Sequence, residues 1–378
     1  MGFKDIIGHN KEIDMLKRAI GSGRPAHAYL FVGPDGIGKK LIALNFAKVF
    51  NCEEGGLEPC DECPSCRKID DGNHIDVQVF APKGLSRQLK VEQVEQFISQ
   101  VNFKPFEGNR KAFILCDADR ANVSFQNKIL KVLEEPPDET IIILVTSNPE
   151  GLLPTIRSRC QVMNFSPLST DAVKGFLIAN EFTSDEACLA ASLSQGQIGK
   201  AIQWLDKERL EQRRHLFVLL SSKQHLPIDE IISAAHELEG YLRKKRDTMI
   251  SEGLSEAKKG PNWENLDETG RSQVIEDIKA DAEGRFRQEA SEVLNYLACF
   301  YRDVLVLKET GREDLVMNTD ILDILKDAAD YRNYNEIQRN IGAIESARES
   351  IARNVKISNC LEALLLRLTE KKTTGVEI

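Results

Sequence analysis

The octapeptide GPDGIGKK, from Gly33 to Lys40, has the residues and the spacing of a phosphate-binding loop. It follows the apolar run AYLFV and precedes LIALNFAKVF, so a strand, a glycine loop and a helix succeed one another, as the G-x-x-x-x-G-K-[ST] motif requires. Gly33, Gly36 and Gly38 would present backbone N–H groups to phosphates, and Lys39 would pair with their charge. The last position departs from the motif, because Lys40 replaces the Ser or Thr whose hydroxyl holds Mg²⁺.

A nucleotide site also needs an acidic pair at the end of a second strand, and FILCDADR, residues 113–120, is the candidate. Two registers are open. If Asp117 is the metal-binding carboxylate, Ala118 replaces the Glu that activates water; if Cys116 stands at the metal position, Asp117 replaces that Glu. Either register loses one acidic group, and a plain buried strand that ends in a turn is the alternative. The motifs therefore predict a phosphate-binding fold with impaired chemistry, and weak, Mg²⁺-independent nucleotide binding without turnover stays open.

Four of the nine cysteines are concentrated in the segment NCEEGGLEPCDECPSC, with the spacing C-x7-C-x2-C-x2-C. Four thiolates within reach of one centre suit a tetrahedral Zn²⁺ ion. The cysteine run of ferredoxins is not matched, and redox-active or free thiols are the alternatives. We predict a structural zinc site at Cys52, Cys60, Cys63 and Cys66, and we expect His74 to be an ordinary loop histidine rather than a ligand.

The composition is that of a globular protein with two or three domains, since the chain has 378 residues, of which 42% are hydrophobic and 29% charged. A net charge of -9 argues against an autonomous, tight nucleic-acid binder, because neutralising phosphates needs clustered Lys and Arg. The sequence has no apolar run near 18 residues and no apolar signal core, so we expect a cytoplasmic protein. The other cysteines with apolar neighbours are predicted to be small core residues: Cys116, Cys188, Cys299 and Cys360.

Short runs of branched and aromatic residues alternate with helix-like stretches over the first ~165 residues. This alternation favours an α/β domain with a parallel five-stranded sheet and helices on both faces. The predicted strands lie at 28–33, 76–80, 112–117, 141–146 and 161–165.

The segment SPLST, residues 166–170, predicts a domain boundary, because Pro167 stops the strand and Ser169 or Thr170 can cap the next helix. The chain beyond this point has helical patterns, which residues 251–270, with their Gly and Pro, are expected to interrupt as a loop or as an excursion between helices. We predict an α/β domain with a zinc module at about 51–67, a small three-helix domain and a C-terminal all-α domain, at 1–166, 167–208 and 209–378.

Two further motifs, LEEPP at 133–137 and SRC at 158–160, follow the glycine loop and the cysteines. In this order the motifs resemble those of the AAA+ subunits of the bacterial sliding-clamp loader, over essentially the whole chain and most strongly over 1–205. The resemblance implies an AAA+ P-loop domain, a helical lid and an oligomerising collar. It also implies partners, namely the gamma/tau and delta subunits, the sliding clamp and primer–template DNA within the DNA polymerase III holoenzyme.

That family contains ATPase motors and also subunits of the same fold that usually lack ATP chemistry. Counting back from LEEPP without a gap favours the register with Cys116 at the metal position. Lys40 replaces the P-loop hydroxyl, Gly199 stands where the motors carry the sensor-2 arginine, and Thr146 falls at the sensor-1 position. We therefore expect the second type, with weak or no ATP or ADP binding and no hydrolysis of its own. An active gamma/tau-like motor and an AAA+ interaction protein outside replication are the alternatives.

Arg159 of the SRC motif is the candidate catalytic residue, because the resemblance places it on an interface, facing the ATP of a neighbouring subunit. A guanidinium supplied in trans can raise the rate of phosphoryl transfer by a factor of ~10³–10⁵. The alternative is that Arg159 is a helix-end arginine in a local salt bridge. The neighbouring Ser158 and Cys160 would position Arg159. Lys128 and Lys131, three residues apart on the helix before LEEPP, could contact a DNA phosphate or form a solvated face.

Overall fold

The computed structural model of the chain describes residues 2–82, 91–222, 226–259, 263–264 and 266–370. The chain forms two compact units, Met1–Gln203 and Trp204–Ile378, of which the first is α/β and the second helical. The finer division into three domains stays a prediction. Within the described ranges, no helix is both long and apolar enough to cross a bilayer.

The first unit contains a parallel sheet whose strands follow one another in the order β2-β3-β4-β1-β5. The predicted strands are confirmed to within one or two residues at each end, since branched and aromatic residues fit a buried parallel sheet. The observed strands are β1 (Ala28–Val32), β2 (Val77–Phe80), β3 (Lys111–Leu115), β4 (Thr140–Thr146) and β5 (Gln161–Asn164).

Helices cover both faces of this sheet, as the alternation predicted. Ser169 caps the helix Thr170–Ala179, which follows the last strand, since its hydroxyl accepts a hydrogen bond from Ala172 N at 3.2 Å. The helices of the first unit are α1 (Asn10–Gly21), α2 (Lys39–Asn51), α3 (Pro64–Asp70), α4 (Val91–Val101), α5 (Val123–Glu134), α6 (Pro154–Arg159), α7 (Thr170–Ala179), α8 (Ser184–Ser194) and α9 (Ile198–Gln203).

Strand β1, which lies between β4 and β5, divides its side chains between two hydrophobic cores. Phe31 faces a core that includes α1 and α2, whereas Leu30 faces a core that includes α4, α5 and α6. Successive side chains of a strand point to opposite faces, so one strand fixes helices on both sides. Each fully buried side chain of this size stabilises the fold by about 1.5–3 kcal/mol. The helices that carry the candidate site residues are therefore anchored to the same strand.

The second unit is all-helical in its described residues, as predicted. Its buried Arg213 donates to the Asp320 carboxylate and to Asn318 Oδ1, and its guanidinium lies 4.9 Å from the centre of the Phe217 ring. A charge can be buried here because it is paired and hydrogen-bonded. The helices are α10 (Lys207–Ser221), α11 (Ile228–Lys259), α12 (Glu268–Thr310), α13 (Leu322–Tyr331), α14 (Tyr334–Ala352) and α15 (Ile357–Thr369).

The prediction of a loop at 251–270 is wrong for much of that range, because α11 continues to Lys259 and α12 begins at Glu268. A glycine inside a helix costs only about 1 kcal/mol, and the Ser, Glu, Ala and Lys residues around Gly253 tolerate a helix. Gly253 also lets α12 approach closely, since a Cβ atom there would lie 3.0 Å from Ile278 Cγ2. Residues 260–262 and 265 lie outside the described residues.

The prediction that Cys188 is a core residue is also wrong, because this side chain is exposed. Helix α8 buries Ala187, Ala190 and Ala191, which lie on one helical face, and Cys188 falls on another. Cys360 is buried as predicted, whereas Cys116 and Cys299 are half-buried. Apolar neighbours in the sequence do not settle which face of a helix a residue occupies.

Candidate functional site

The glycine loop GPDGIGKK leaves β1 at the carboxyl edge of the sheet and ends where α2 begins at Lys39. Gly33 N donates to Thr146 O at the end of β4, at 3.1 Å. A Cβ atom at Gly33 would lie 2.3 Å from Phe165 O, so the loop can pass β5 only with glycine here. The predicted strand–loop–helix arrangement is thus present at the edge where open α/β sheets bind ligands.

Lys39, the loop lysine, is turned back onto its own loop. Its side chain is 5% exposed, and its ammonium donates to the carbonyl oxygens of Gly33 and Pro34. The Asp35 carboxylate lies 3.8 Å from the same nitrogen. Burial lowers the pKa of Lys39, although the nearby carboxylates act in the opposite direction. A nucleotide phosphate would therefore have to replace acceptors that the loop already supplies.

The two positions that the resemblance assigns to Mg²⁺ binding carry a cation and a neutral thiol. Lys40 is exposed at the start of α2, and Cys116 directly follows β3. Burial raises the pKa of the Cys116 thiol to about 11, against the lowering effect of the Lys40 charge. The thiol is therefore protonated at neutral pH, and hard divalent cations prefer oxygen ligands. Asp117 follows in a left-handed conformation, with φ of 47°.

The sensor-1 position is occupied by a buried hydroxyl that is already paired. Thr146 Oγ1 donates to the Asp119 carboxylate and accepts a hydrogen bond from Asn148 N at 3.0 Å. No sequence motif distinguished Asp119, which is one of two acidic residues in FILCDADR. The hydroxyl of Thr146 already donates its hydrogen bond to this carboxylate, so it is not available to another acceptor.

The small helical packet α7–α9 contacts the glycine loop through its backbone. Gly199 N donates to Gly36 O at 3.0 Å, and a Cβ atom at Gly199 would lie 3.5 Å from Gly36 Cα. The resemblance predicts a sensor-2 arginine at position 199 in the motor subunits. In this chain the position is a glycine whose peptide group is hydrogen-bonded to that of Gly36. The contact adds to Lys40 and Cys116 as a third feature that disfavours nucleotide chemistry at this edge.

The four clustered cysteines converge as their spacing predicted. Their sulfur atoms all lie within 4.8 Å of one another, and the sulfur atoms of Cys60 and Cys66 are 4.0 Å apart. A tetrahedral ZnS₄ centre has sulfur–sulfur distances of about 3.8 Å, from Zn–S bonds near 2.3 Å. The set can hold a metal ion with small adjustments, and it leaves no ligand position for a substrate. Among the described residues, this is the one group of His, Cys, Asp or Glu side chains that are close enough together to share a metal ion.

Backbone amides support the sulfur atoms of the cluster. Cys60 N donates to Cys52 Sγ at 3.4 Å, and Cys63 N donates to Cys60 Sγ at 3.3 Å. Cys66 N donates to Cys63 Sγ at 3.4 Å. The Cys63 amide is the main cause that lowers the pKa of Cys60, to about 7, whereas burial raises the pKa of Cys66. Because a metal binds the thiolate form, these amides favour the state that coordinates.

A buried lysine ties the cysteine cluster to the helix that follows the glycine loop. Lys48 of α2 is 1% exposed and bonds to the carboxylates of Asp61, between the cysteines, and Asp70, at the end of α3. Cys52 directly follows Asn51, the last residue of α2. One helix therefore carries the phosphate-loop lysine at its first turn and a cluster cysteine at its end.

His74, which we expect to be an ordinary loop histidine, lies between α3 and β2, outside the four-cysteine group, and is buried. Asp76 N donates to His74 Nδ1 at 3.1 Å, so the ring proton lies on Nε2, which faces Ser65 Oγ at 3.1 Å. Burial lowers the pKa of His74. The neutral ring braces α3, which carries Cys66.

Arg159 is the last residue of α6 and is partly exposed, at 37%. Its Nη2 atom lies 2.7 Å from Glu134 Oε1, and its Nη1 atom donates to Thr155 O at 3.3 Å. Cys160, the next residue, is buried, which raises the pKa of its thiol to about 12. Ser158 Oγ bonds within the helix to Thr155 O. The cysteine thus anchors the end of α6, while the guanidinium stays near the surface.

Two side chains, one of them not singled out by any sequence motif, hold α5 and α6 together. Gln126, buried on α5, accepts a hydrogen bond from Leu153 N at 2.8 Å and donates to Gly151 O at 3.1 Å, immediately before α6. Glu134, the last residue of α5, pairs with Arg159. The LEEPP and SRC motifs marked Glu134 and Arg159 in the sequence, but no sequence pattern indicated that the two side chains form a pair.

Lys128 and Lys131 are exposed and line a cleft between α4 and α5. The same cleft is lined by Glu95 and Glu135. Two carboxylates beside two ammonium groups leave the cleft without a net positive charge, which a phosphate-binding surface would need. The geometry therefore favours the solvated face over a dedicated phosphate site.

Comparisons with known proteins support the resemblance. The profile of a family described as "DNA polymerase III, delta subunit" matches residues 8–169. The chain is 29% identical to the DNA polymerase III subunit delta' of Bacillus subtilis, over 94% of each chain. It is 38% identical to the delta' subunit of Pseudomonas aeruginosa, over 37% of this chain and 43% of that protein.

The motor type of subunit is also related. The chain is 28% identical to the DNA polymerase III subunit tau/gamma of Haemophilus influenzae, over 83% of this chain. The match spans 47% of that longer protein. The delta' match covers both chains almost completely, whereas the tau/gamma match leaves about half of the relative uncovered.

Proposed function

We propose that the chain acts as a delta' subunit. It belongs to the family of DNA polymerase III clamp-loader subunits of delta' and gamma/tau type. In this role it would assemble with gamma/tau and delta subunits in the cytoplasm and help to load the sliding clamp onto primer–template DNA. It would not hydrolyse ATP itself. It would supply Arg159 to the ATP held by a neighbouring subunit.

The observation that carries this proposal is the chemistry at the carboxyl edge of the sheet. Lys40 and the neutral Cys116 thiol stand where Mg²⁺ needs a hydroxyl and a carboxylate. Phosphoryl transfer depends on that metal to neutralise the developing charge. A chain that keeps the glycine loop but lacks the metal ligands is suited to holding the shape of an ATPase subunit without turnover.

Arg159 supports the second half of the proposal. The guanidinium lies near the surface at the end of α6, and α5 and α6 hold the backbone beneath it through Gln126. A guanidinium is permanently charged and presents N–H donors in a planar fork that matches phosphate oxygens. Placed against a neighbour's nucleotide, it would stabilise negative charge on the transferring group.

We also propose that the cysteine cluster holds a structural Zn²⁺ ion. Cys52, Cys60, Cys63 and Cys66 would be its ligands, and four thiolates complete a tetrahedral shell with no open position. The ion would supply folding energy and no catalytic step. Together with Lys48, it would fix the far end of α2 and so stiffen the α/β domain.

Reconstitution tests the clamp-loader role. We expect the tagged chain to retain the gamma/tau and delta subunits of its own organism on a column, and the complex to place the clamp on primed circular DNA. Both steps are measured by gel filtration of fluorescent clamp and DNA. Failure of the folded chain to bind either subunit would contradict the proposal and favour an AAA+ interaction protein outside replication. Turnover by the purified chain would instead favour a motor of gamma/tau type.

A further inference from the structure

The ion pair between Glu134 and Arg159 links the ends of two helices. Glu134 is the last residue of α5 and Arg159 the last of α6, and Glu134 Oε1 lies 2.7 Å from Arg159 Nη2. The two side chains are 49% and 37% exposed. An exposed pair of this kind contributes at most about 1 kcal/mol to stability, so stability alone gives it little purpose.

The position of Glu134 is unfavourable for the helix that carries it. A helix C-terminus bears partial negative charge, and a carboxylate in the last turn is repelled by it. Helix α5 therefore gains nothing from this glutamate, whereas a cation at the end of α6 is favourable. Among the described residues, the guanidinium of Arg159 forms the ion pair that compensates the charge of Glu134.

The contacts of Arg159 fix the guanidinium and leave part of it available. Thr155 O accepts from Nη1 and Glu134 accepts from Nη2. Two of the five N–H donors of a guanidinium are used in these contacts, which leaves three. Two contacts on different nitrogen atoms define the plane of the group, and the remaining N–H groups can meet phosphate oxygens.

We propose that Glu134 is a positioning residue that orients Arg159 toward the nucleotide of the neighbouring subunit. The inference rests on the proposed function, because it requires Arg159 to act in trans. Glu134 touches neither the nucleotide nor the metal ion. It reduces the freedom of a long side chain before the transition state forms, so less entropy is lost when the guanidinium engages.

The test compares variants in the reassembled complex by the kcat and the KM for ATP of DNA-stimulated hydrolysis. Glu134→Ala is expected to lower kcat about tenfold and to leave KM within about twofold, the pattern of an interaction made in the transition state. Glu134→Gln keeps an acceptor oxygen without the charge, and we expect it to recover most of the loss. The Gln variant also tests the proposal if the Ala variant fails to enter the complex.

A matched control is the ion pair of a second arginine of α6. Glu150 pairs with Arg157 of α6 at 2.7 Å, the same separation as the Glu134–Arg159 pair. Glu150→Ala is expected to leave kcat unchanged, because it releases a different arginine. In the double variant with Arg159→Ala, removing Glu134 should cost no more than about twofold, since Glu134 acts through Arg159.

The outcomes separate this inference from the function on which it rests. If Arg159→Ala leaves turnover unchanged, the finger role fails, and the positioning role fails with it. If Arg159→Ala lowers kcat but Glu134→Ala matches the Glu150→Ala control, the positioning role alone is overturned. Additive losses in the double variant would overturn it as well.

Discussion

In a reassembled clamp loader, the Arg159→Ala chain is expected to enter the complex normally and to slow ATP hydrolysis at the site it faces about 10³-fold. An arginine supplied in trans is worth a factor of this size, because it stabilises charge that develops on the transferring phosphoryl group. Assembly should survive, since Arg159 is partly exposed and its contacts are with Glu134 and Thr155 of its own chain. Single-turnover hydrolysis in the presence of clamp and primed DNA measures the effect.

Two further variants make the result specific. Arg159→Lys keeps the charge but loses the planar fork, and it should recover only a small part of the rate. Arg157→Ala removes a neighbouring arginine of α6 that pairs with Glu150, and it should leave the rate unchanged. Equal loss in Arg157→Ala and Arg159→Ala would point to a general disturbance of α6. Wild-type turnover in the Arg159→Ala complex would remove the finger role.

Loss of the metal is expected to have the largest effect on stability. We expect the purified chain to contain one Zn²⁺ ion and the Cys60→Ser chain to contain none, with the free energy of unfolding lowered by about 3–5 kcal/mol. The four sulfur atoms lie within 4.8 Å of one another, and without the ion the coordination bonds that join these segments of chain are lost, so the metal-binding free energy no longer adds to the stability of the fold. The buried pairs of Lys48 with Asp61 and Asp70 should loosen with the cluster.

Metal analysis and chemical denaturation measure these two quantities on the same samples. Cys188→Ser is the matched control, because it is the same change at an exposed cysteine outside the cluster. It should keep the ion and the stability of the parent chain. A wild-type chain that is free of metal and as stable as the chelator-treated protein would contradict the zinc site.

The elements that build the site could be predicted because local patterns dictate them. The branched run IIILVT fits β4, and glycines at fixed spacing after AYLFV fit a loop between β1 and α2. The C-x2-C spacings bring four sulfur atoms together over a short stretch of chain, where geometry leaves few alternatives. In each case the information lies within a few residues.

Contacts between distant segments could not be predicted in this way. Arg159 and Glu134 are 25 positions apart, and their pairing depends on how α5 and α6 pack. The hydrogen bond from Gly199 to Gly36 depends on where α9 meets the glycine loop. Two errors have the same origin, since the exposed face of Cys188 and the helix across Gly253 are decided by packing partners that the local sequence does not name.

The most direct test of the account is ATP binding and hydrolysis by the isolated chain, with and without Mg²⁺. The account predicts no turnover in either condition, because Lys40 and the Cys116 thiol replace the ligands of the metal and Lys39 is engaged by the carbonyl groups of its own loop. Lys39→Ala should then behave as the parent chain does. Mg²⁺-dependent turnover that is abolished by Lys39→Ala would contradict the account and make this chain a motor.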